Sequence, residues 1–368
     1  MSQVVAPSPV LHTPGAVAGA PDTQDAAVAW HYGDPFGEQK AAAQRVAVVD
    51  RSHRSLATIT GAERLSWLHT ITSQHIAALP DAHSAETLDL DLNGRVLNHF
   101  VLTDLDGTLW LDTEADRGPA LLSFLQKMVF WADAKPVAAP DHAVLSLLGP
   151  QVDTLLPALG LDGLPETYGA VALPGGGFLR RMPGDSFDLI VPRADLSTWW
   201  TKLTQAGAEP AGMWAYEALR VAAVKPRIGV DTDERTIPHE ARWIGGIDEH
   251  GAVHLNKGCY RGQETVARVH NLGKPPRNLV LLHLDGSADE RPTTGDDVTA
   301  GGRTVGRLGT VIDHYELGPI ALALIKRSVP AGTELVVGSM AAAIDPDSVP
   351  ADDVEQAGRA AVNRLRGR

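Results

Sequence analysis

Between residues 85 and 113 hydrophobic and polar positions alternate more regularly than anywhere else in the chain. Leu88, Leu90 and Leu92 alternate with Asp89 and Asp91, a period of two that predicts a strand with one apolar and one solvated face. Asn93-Gly94 supplies residues that tolerate positive φ, so a tight hairpin turn is expected there. Residues 96–103 return, Asp106-Gly107 turns again, and Leu109-Trp110-Leu111 returns once more, which makes a meander. The period then changes. Leu121, Leu122, Leu125, Met128 and Val129 form an apolar stripe, predicting a helix over 119–130.

Upstream, 46–50 and 56–60 read as short strands, and 62–71 as a helix with Leu65, Leu68 and Ile71 on one face. Residues 1–27 are rich in Ala, Pro, Val and Thr without periodicity, which predicts a disordered tail, with order beginning near Ala29-Trp30. After Pro140 the pattern predicts a strand (143–148), a helix (151–158), a hairpin around Gly184-Asp185 and a helix (194–206) between Pro192 and Gly207. Such split β-α-β-β order suggests α+β layers with helices on one sheet face. Residues 275–345 carry short strands and closely spaced Gly301, Gly302, Gly306, Gly309 and Gly318, which suits a small closed β-barrel. From Pro346 to the end the chain is acidic, then basic, and reads as a frayed tail.

A chain of 368 residues can bury a substantial core in two or three units. No apolar run approaches the ~18 residues of a membrane span. Neither Lys nor Arg precedes Lys40, which is unlike a secretory or transit leader. The single cysteine rules out an intramolecular disulfide and fits a reducing cytoplasm. A net charge of −13 argues against a surface that tracks nucleic-acid phosphates.

Several motifs tempt. Asp89-x-Asp91-x-Asn93-Gly94 begins like a calcium loop, but the twelfth position, which should be Glu, is Phe100. Asp104-Leu105-Asp106-Gly107-Thr108 resembles the first motif of haloacid-dehalogenase-like phosphatases, with Asp296-Asp297 as distant Mg²⁺ ligands. That fold needs a buried parallel strand and a following helix, whereas strands are expected on both sides here, so Asp-Gly reads as a turn. Asp231, Asp233, Glu234, His239, Glu240, Asp248, Glu249, His250 and His254 crowd one segment, yet no two His have zinc-enzyme spacing. A solvated acidic loop is expected, and Gly175-Gly176-Gly177 lacks the Lys of a phosphate loop.

The strongest chemical signal is Lys257-Gly258-Cys259-Tyr260-Arg261-Gly262-Gln263-Glu264. Cys259 lies between two cations, with glycines opening the backbone and a helix expected to start at Gln263. Cations and a helix N-terminus both favour the thiolate, the nucleophilic and metal-binding form. Gln263 and Glu264 are expected to cap and anchor that helix, with Arg268 facing the same cleft.

This octapeptide resembles the signature of the YgfZ family, folate-binding, glycine-cleavage T-protein-like factors that support iron–sulfur cluster assembly and repair. The resemblance extends to Thr236-Ile237-Pro238-His239-Glu240, Thr265-Val266-Ala267-Arg268, the segment 301–328 and Leu56-Ala57-Thr58-Ile59-Thr60-Gly61 with Leu65-Ser66-Trp67-Leu68, roughly residues 40–340 in all. It implies an α+β, aminomethyltransferase-like fold. A folate-binding region over 28–270 has an inner unit (58–140) inserted in an outer one (28–57 plus 141–270), followed by the barrel (275–345) and a tail (346–368).

The related aminomethyltransferases carry Leu-Arg-x-Glu-Ala-Gly, whose Glu grips the pterin. Here the stretch is Leu219-Arg220-Val221-Ala222-Ala223-Val224, so the acid is replaced by Ala222. Glu217 lies about 140° around the helix from it and cannot simply substitute. Their second acidic pair is matched by Asn98-His99, which cannot hold the negative charge that pairs with an iminium-like intermediate. The resemblance therefore implies a cytoplasmic, bacterial, monomeric protein, an assembly factor more than an aminomethyltransferase, with the question of enzymatic activity open. It would bind tetrahydrofolate or a derivative weakly, hold no stable metal, and engage iron–sulfur client or assembly proteins, with neither nucleic acid nor membrane as partner. Cys259 is the reactive residue; Lys257, Gly258, Tyr260, Arg261, Gly262, Gln263, Glu264, Arg268 and Arg220 complete the site. The alternatives are a folate-dependent aminomethyltransferase-type one-carbon transferase and, behind it, a haloacid-dehalogenase-like phosphatase.

Overall fold

Strand His142–Leu148 carries almost unbroken apolar sequence, and a strand of that kind must be covered on both faces. In the computed structural model, which describes residues 6–287 and 291–350, it is. Ala143, Leu145 and Leu147 enter a core with Leu196, Trp199, Trp200 and Leu203 of helix Leu196–Gln205, while Val144 joins Leu56, Phe178 and Ile190. The strand is central to a six-stranded sheet ordered Ala170–Ala172, Phe178–Met182, Ser186–Pro192, His142–Leu148, Ala47–Asp50, Glu209–Ala211. The last strand pairs parallel to Ala47–Asp50.

The expected meander forms a five-stranded sheet ordered His83–Leu90, Val96–Leu105, Thr108–Thr113, Ser55–Thr60, Lys135–Ala138. Helix Gly118–Met128 buries Leu121 and Leu125. The barrel expected over 275–345 is closed, in the order Arg277–Leu284, Gly318–Lys326, Arg303–His314, Asp297–Ala300, Leu335–Val337, Met340–Ile344. Its core holds Leu282, Val298, Leu308, Ala323 and Leu335.

Contacts divide the chain into two compact units, residues 1–87 with 98–219 and residues 88–97 with 220–368. The boundaries differ from a nested 58–140 insert, because the first hairpin tip makes its contacts with the later residues. Within the first unit, Arg180 is 1% exposed and bridges Asp112 at 2.6 Å and Asp188 at 2.8 Å. Arg54 meets Asp112 and Glu114, and Arg51 meets Asp188 and lies over the Tyr216 ring. Burial alone would raise the Asp188 carboxyl, but Arg180 and Arg51 draw it down to about 2.

Several expectations are corrected. Residues 6–27 are ordered rather than a disordered tail: Val10 enters the core, Ser8 N–H donates to Ala27 O at 2.8 Å, and His53 pairs with Asp25 at 3.1 Å. Sparse apolar residues suffice where a groove already awaits them, which composition does not register. The helix over 151–158 is two short pieces, Val152–Leu155 and Leu156–Leu159, as Pro157 interrupts backbone donation. The tail is described only to residue 350, with one short turn at Pro346–Ser348; the frayed remainder expected beyond it lies outside the described residues. No described helix is long and apolar enough to cross a membrane.

Candidate functional site

Helix Gln263–Leu272 begins one residue after a glycine in the left-handed region, Gly262 at φ +83°. A side chain there would place its Cβ 2.6 Å from Asp91 O and 2.9 Å from Gly94 Cα, so the glycine is required both by φ and by contact. The tip of the first hairpin and the motif thus meet backbone to backbone. Gly94, φ +74°, faces Thr265 in the same way. Gly258 differs: nothing lies within 4 Å of where its Cβ would be.

Arg261, expected beside the thiol, bonds the first hairpin. Its Nη2 donates to Asp89 Oδ1 at 2.6 Å and its Nε donates to Leu90 O, so the guanidinium is committed to the hairpin. Asp89 itself, predicted on the solvated face of its strand, is 1% exposed. A carboxylate buried this far from water needs a cation beside it, and Arg261 supplies one.

Lys257 is likewise drawn inward. It is 5% exposed, its Nζ lies 5.0 Å from the Tyr260 ring centroid, and burial pushes its amine down to about 8. Gln263 Nε2 donates back to Lys257 O at 3.2 Å, closing the loop on itself. Gln263 therefore anchors the loop; the helix has no side-chain cap, and Glu264 and Arg268 are exposed on it. Cys259 remains exposed between these fixed flanks.

The neighbouring acidic segment is solvated only in part: Glu234, Asp248, Glu249 and His250 are exposed, but others are not. Asp231 and Glu240 are each 1% exposed. Arg277 donates to both Asp233 and Glu240, and holds the Asp233 carboxyl well below its ordinary range against the opposing effect of burial. His239 is pushed down to about 4 by burial and by His270. Among the described residues no group of three or more His, Cys, Asp or Glu could hold a metal ion.

Arg220 is also spoken for. It donates to Asp231 Oδ2 at 2.6 Å, to Lys225 O at 2.5 Å and to Thr310 Oγ1 at 2.6 Å, tying the helix end to the barrel. Ala222, on the same helix, offers no acid. The Asn98-His99 position, however, has a carboxylate that the linear motif does not reveal. Glu86, on the adjacent strand, bonds His99 Nε2 at 2.8 Å and accepts from the Tyr168 hydroxyl at 2.9 Å. Asp104, the candidate phosphatase nucleophile, is held by Arg64 at 2.7 and 2.9 Å on a strand with an antiparallel neighbour, Thr108–Thr113.

No protein-family model matches the chain. The tRNA-modifying protein YgfZ of Shigella sonnei is 28% identical over 269 residues, covering 72% of this chain and 79% of that one. The chain is thus similar to YgfZ over most of its length. A chloroplastic protein of Arabidopsis thaliana whose name calls it a transferase is 26% identical to this chain over 319 residues, covering 80% of it and 68% of the relative. Among solved structures, glycine cleavage system aminomethyltransferase T from Bartonella henselae superposes with a TM-score of 0.80 at 21% identity, covering 92% and 96% of the two chains. The chain therefore has the aminomethyltransferase fold.

Proposed function

We propose that this protein is a YgfZ-type, folate-binding accessory factor that assists iron–sulfur cluster assembly or repair through Cys259. The observation that carries this reading is the motif loop: an exposed thiol on a segment whose two flanks are fixed, by Arg261 to the hairpin and by Gln263 to Lys257 O. A buried ammonium such as Lys257 is kept against its desolvation cost, which supports a functional loop over a merely tolerated one. One cysteine cannot hold a cluster, which normally needs about four ligands. Cys259 therefore acts with a partner protein, as one ligand or as a redox thiol.

The Shigella sonnei relative is named for tRNA modification. That name and cluster support describe one role if the client is a cluster-dependent tRNA-modifying enzyme. The net charge of −13 favours contact with such an enzyme over contact with tRNA itself. Folate affinity is reduced relative to the aminomethyltransferases, since losing a charge-assisted partner at Ala222 weakens binding by about ten- to hundred-fold.

A second reading, one-carbon transfer, is favoured by Glu86, whose carboxylate beside His99 stands where the linear motif lacks an acid. The deciding experiment is complementation of a strain lacking the protein. Cys259→Ser is expected to fold normally and to restore neither the activity of iron–sulfur enzymes nor tRNA modification. Full rescue by the serine variant removes the cysteine from the function. Calorimetry with tetrahydrofolate on the native protein and on Ala222→Glu tests the ligand: binding should tighten in the variant, and no binding to either removes folate.

A further inference from the structure

The motif loop is clamped by a residue 172 positions away in the chain, Asp89, and the clamp has more parts than a surface ion pair. Asp89 Oδ1 accepts from Arg261 Nη2 at 2.6 Å, with the carboxylate 2% exposed and the guanidinium 32%. The same guanidinium donates through Nε to the next backbone carbonyl, Leu90 O. Two bonds to adjacent points on one strand fix the direction of the Arg261 side chain as well as its distance. One residue on, Gly262 lies against Asp91 O and Gly94, and Thr265 of the following helix lies against Gly94. Gln263 meanwhile ties the end of the loop to its beginning at Lys257 O.

We infer that Asp89 is a positioning residue for the Cys259 loop. The inference rests on Cys259 being the functional thiol only in what the positioning is for. Cys259 lies two residues from Arg261, is exposed, and is in no disulfide; Gly258 beside it has open space among the described residues. Its place is therefore inherited from Arg261 on one side and Lys257 on the other. The hairpin acts as a template, and Asp89 supplies the charge that keeps the fork of Arg261 seated on it. Sequence alternation hides this role by placing Asp89 on an outward face.

The test uses limited trypsin digestion of the full-length protein, followed at Lys257 and Arg261, together with rescue of a strain lacking it. Asp89→Asn keeps the shape and removes the charge, and should speed cleavage at these two sites about ten- to hundred-fold. Arg261→Lys, which loses the second bond but keeps the charge, should loosen the loop at Lys257 to a similar degree. Asp89→Glu should restore most protection and most rescue. Asp231→Asn is the matched control: it breaks another buried Arg–Asp pair in the same unit, with Arg220, and should leave the loop's cleavage unchanged. Unchanged cleavage in Asp89→Asn, or an equal rise in Asp231→Asn, overturns the inference. Full rescue by Cys259→Ser, with Asp89→Asn still releasing the loop, would instead overturn the role of the thiol and leave the clamp standing.

Discussion

Two tetrapeptides of nearly the same sequence, Asp91-Leu92-Asn93-Gly94 and Asp104-Leu105-Asp106-Gly107, close two hairpins of one sheet and end in opposite surroundings. In the first, Asp91 Oδ1 accepts from the N–H groups of Asn93 and Arg95, each at 2.8 Å, and only Gly94 adopts positive φ. In the second, Asp106 and Gly107 both do, at +49° and +75°, as a two-residue mirror-image turn requires. The first tip presses against Gly262 and Thr265, while nothing lies within 4 Å of a Cβ at Gly107. The leading acid of the second, Asp104, is closed off by Arg64. The two turns differ in backbone conformation, and their glycines differ in surroundings: Gly94 has Gly262 and Thr265 packed against it, Gly107 has open space.

That contrast can be broken most directly at the glycines. Gly262→Ala combines a left-handed φ with a clash against backbone, and is expected to lose about 3 kcal/mol in urea unfolding. At the open turn, Gly107→Ala carries only the left-handed φ penalty and should lose about 1 kcal/mol. If the two variants lost the same amount, the backbone contact between hairpin and motif would carry no energy.

Lys257 sharpens the comparison from the motif side. Its folded pKa of about 8 lies below the ordinary 10.5, so its burial costs stability while both states are protonated. Lys257→Met should therefore be more stable than the native protein at pH 7, by up to about 3 kcal/mol. As pH rises from about 8 to 10.5 the folded amine is neutral while the unfolded one stays charged, so the native protein regains stability and the difference closes. A difference independent of pH, measured by denaturant melts, would count against desolvation as its origin. Rescue of cluster enzymes should be lost in the same variant.

At the second hairpin the effects are smaller and separate from function. Asp104→Asn weakens a half-shielded pair with Arg64 and should cost about 1–2 kcal/mol, with full rescue and no effect on hydrolysis of a generic phosphomonoester with Mg²⁺. Wild-type hydrolysis abolished by this change would revive the phosphatase reading. Smallest of all, Leu92→Ser at an 83% exposed position should change stability by less than about 0.5 kcal/mol. A partner that docks on the tip would show itself as a loss of rescue without a loss of stability.

Much of the fold was legible without coordinates. The period of two over 85–113, the stripe of Leu121 and Leu125, and the glycine-rich barrel segment each report local burial, which repeats with the element's own geometry. Lys257 to Glu264 stood out for the same reason, as a short contiguous string. The ordered segment 6–27 was not legible, because its few apolar residues carry no period and are ordered by what they dock into.

The sequence by itself determined the elements, the barrel and the place of the one cysteine, because those depend on neighbours along the chain. Only the tertiary structure decided how charges are shared. Arg261, expected beside Cys259, has Asp89 as its partner, and Arg220 has Asp231 and Thr310. The acid missing at Asn98-His99 is met by Glu86 from the next strand. An ion pair depends on distance in space and on the water excluded around it, and neither quantity is written in the order of residues.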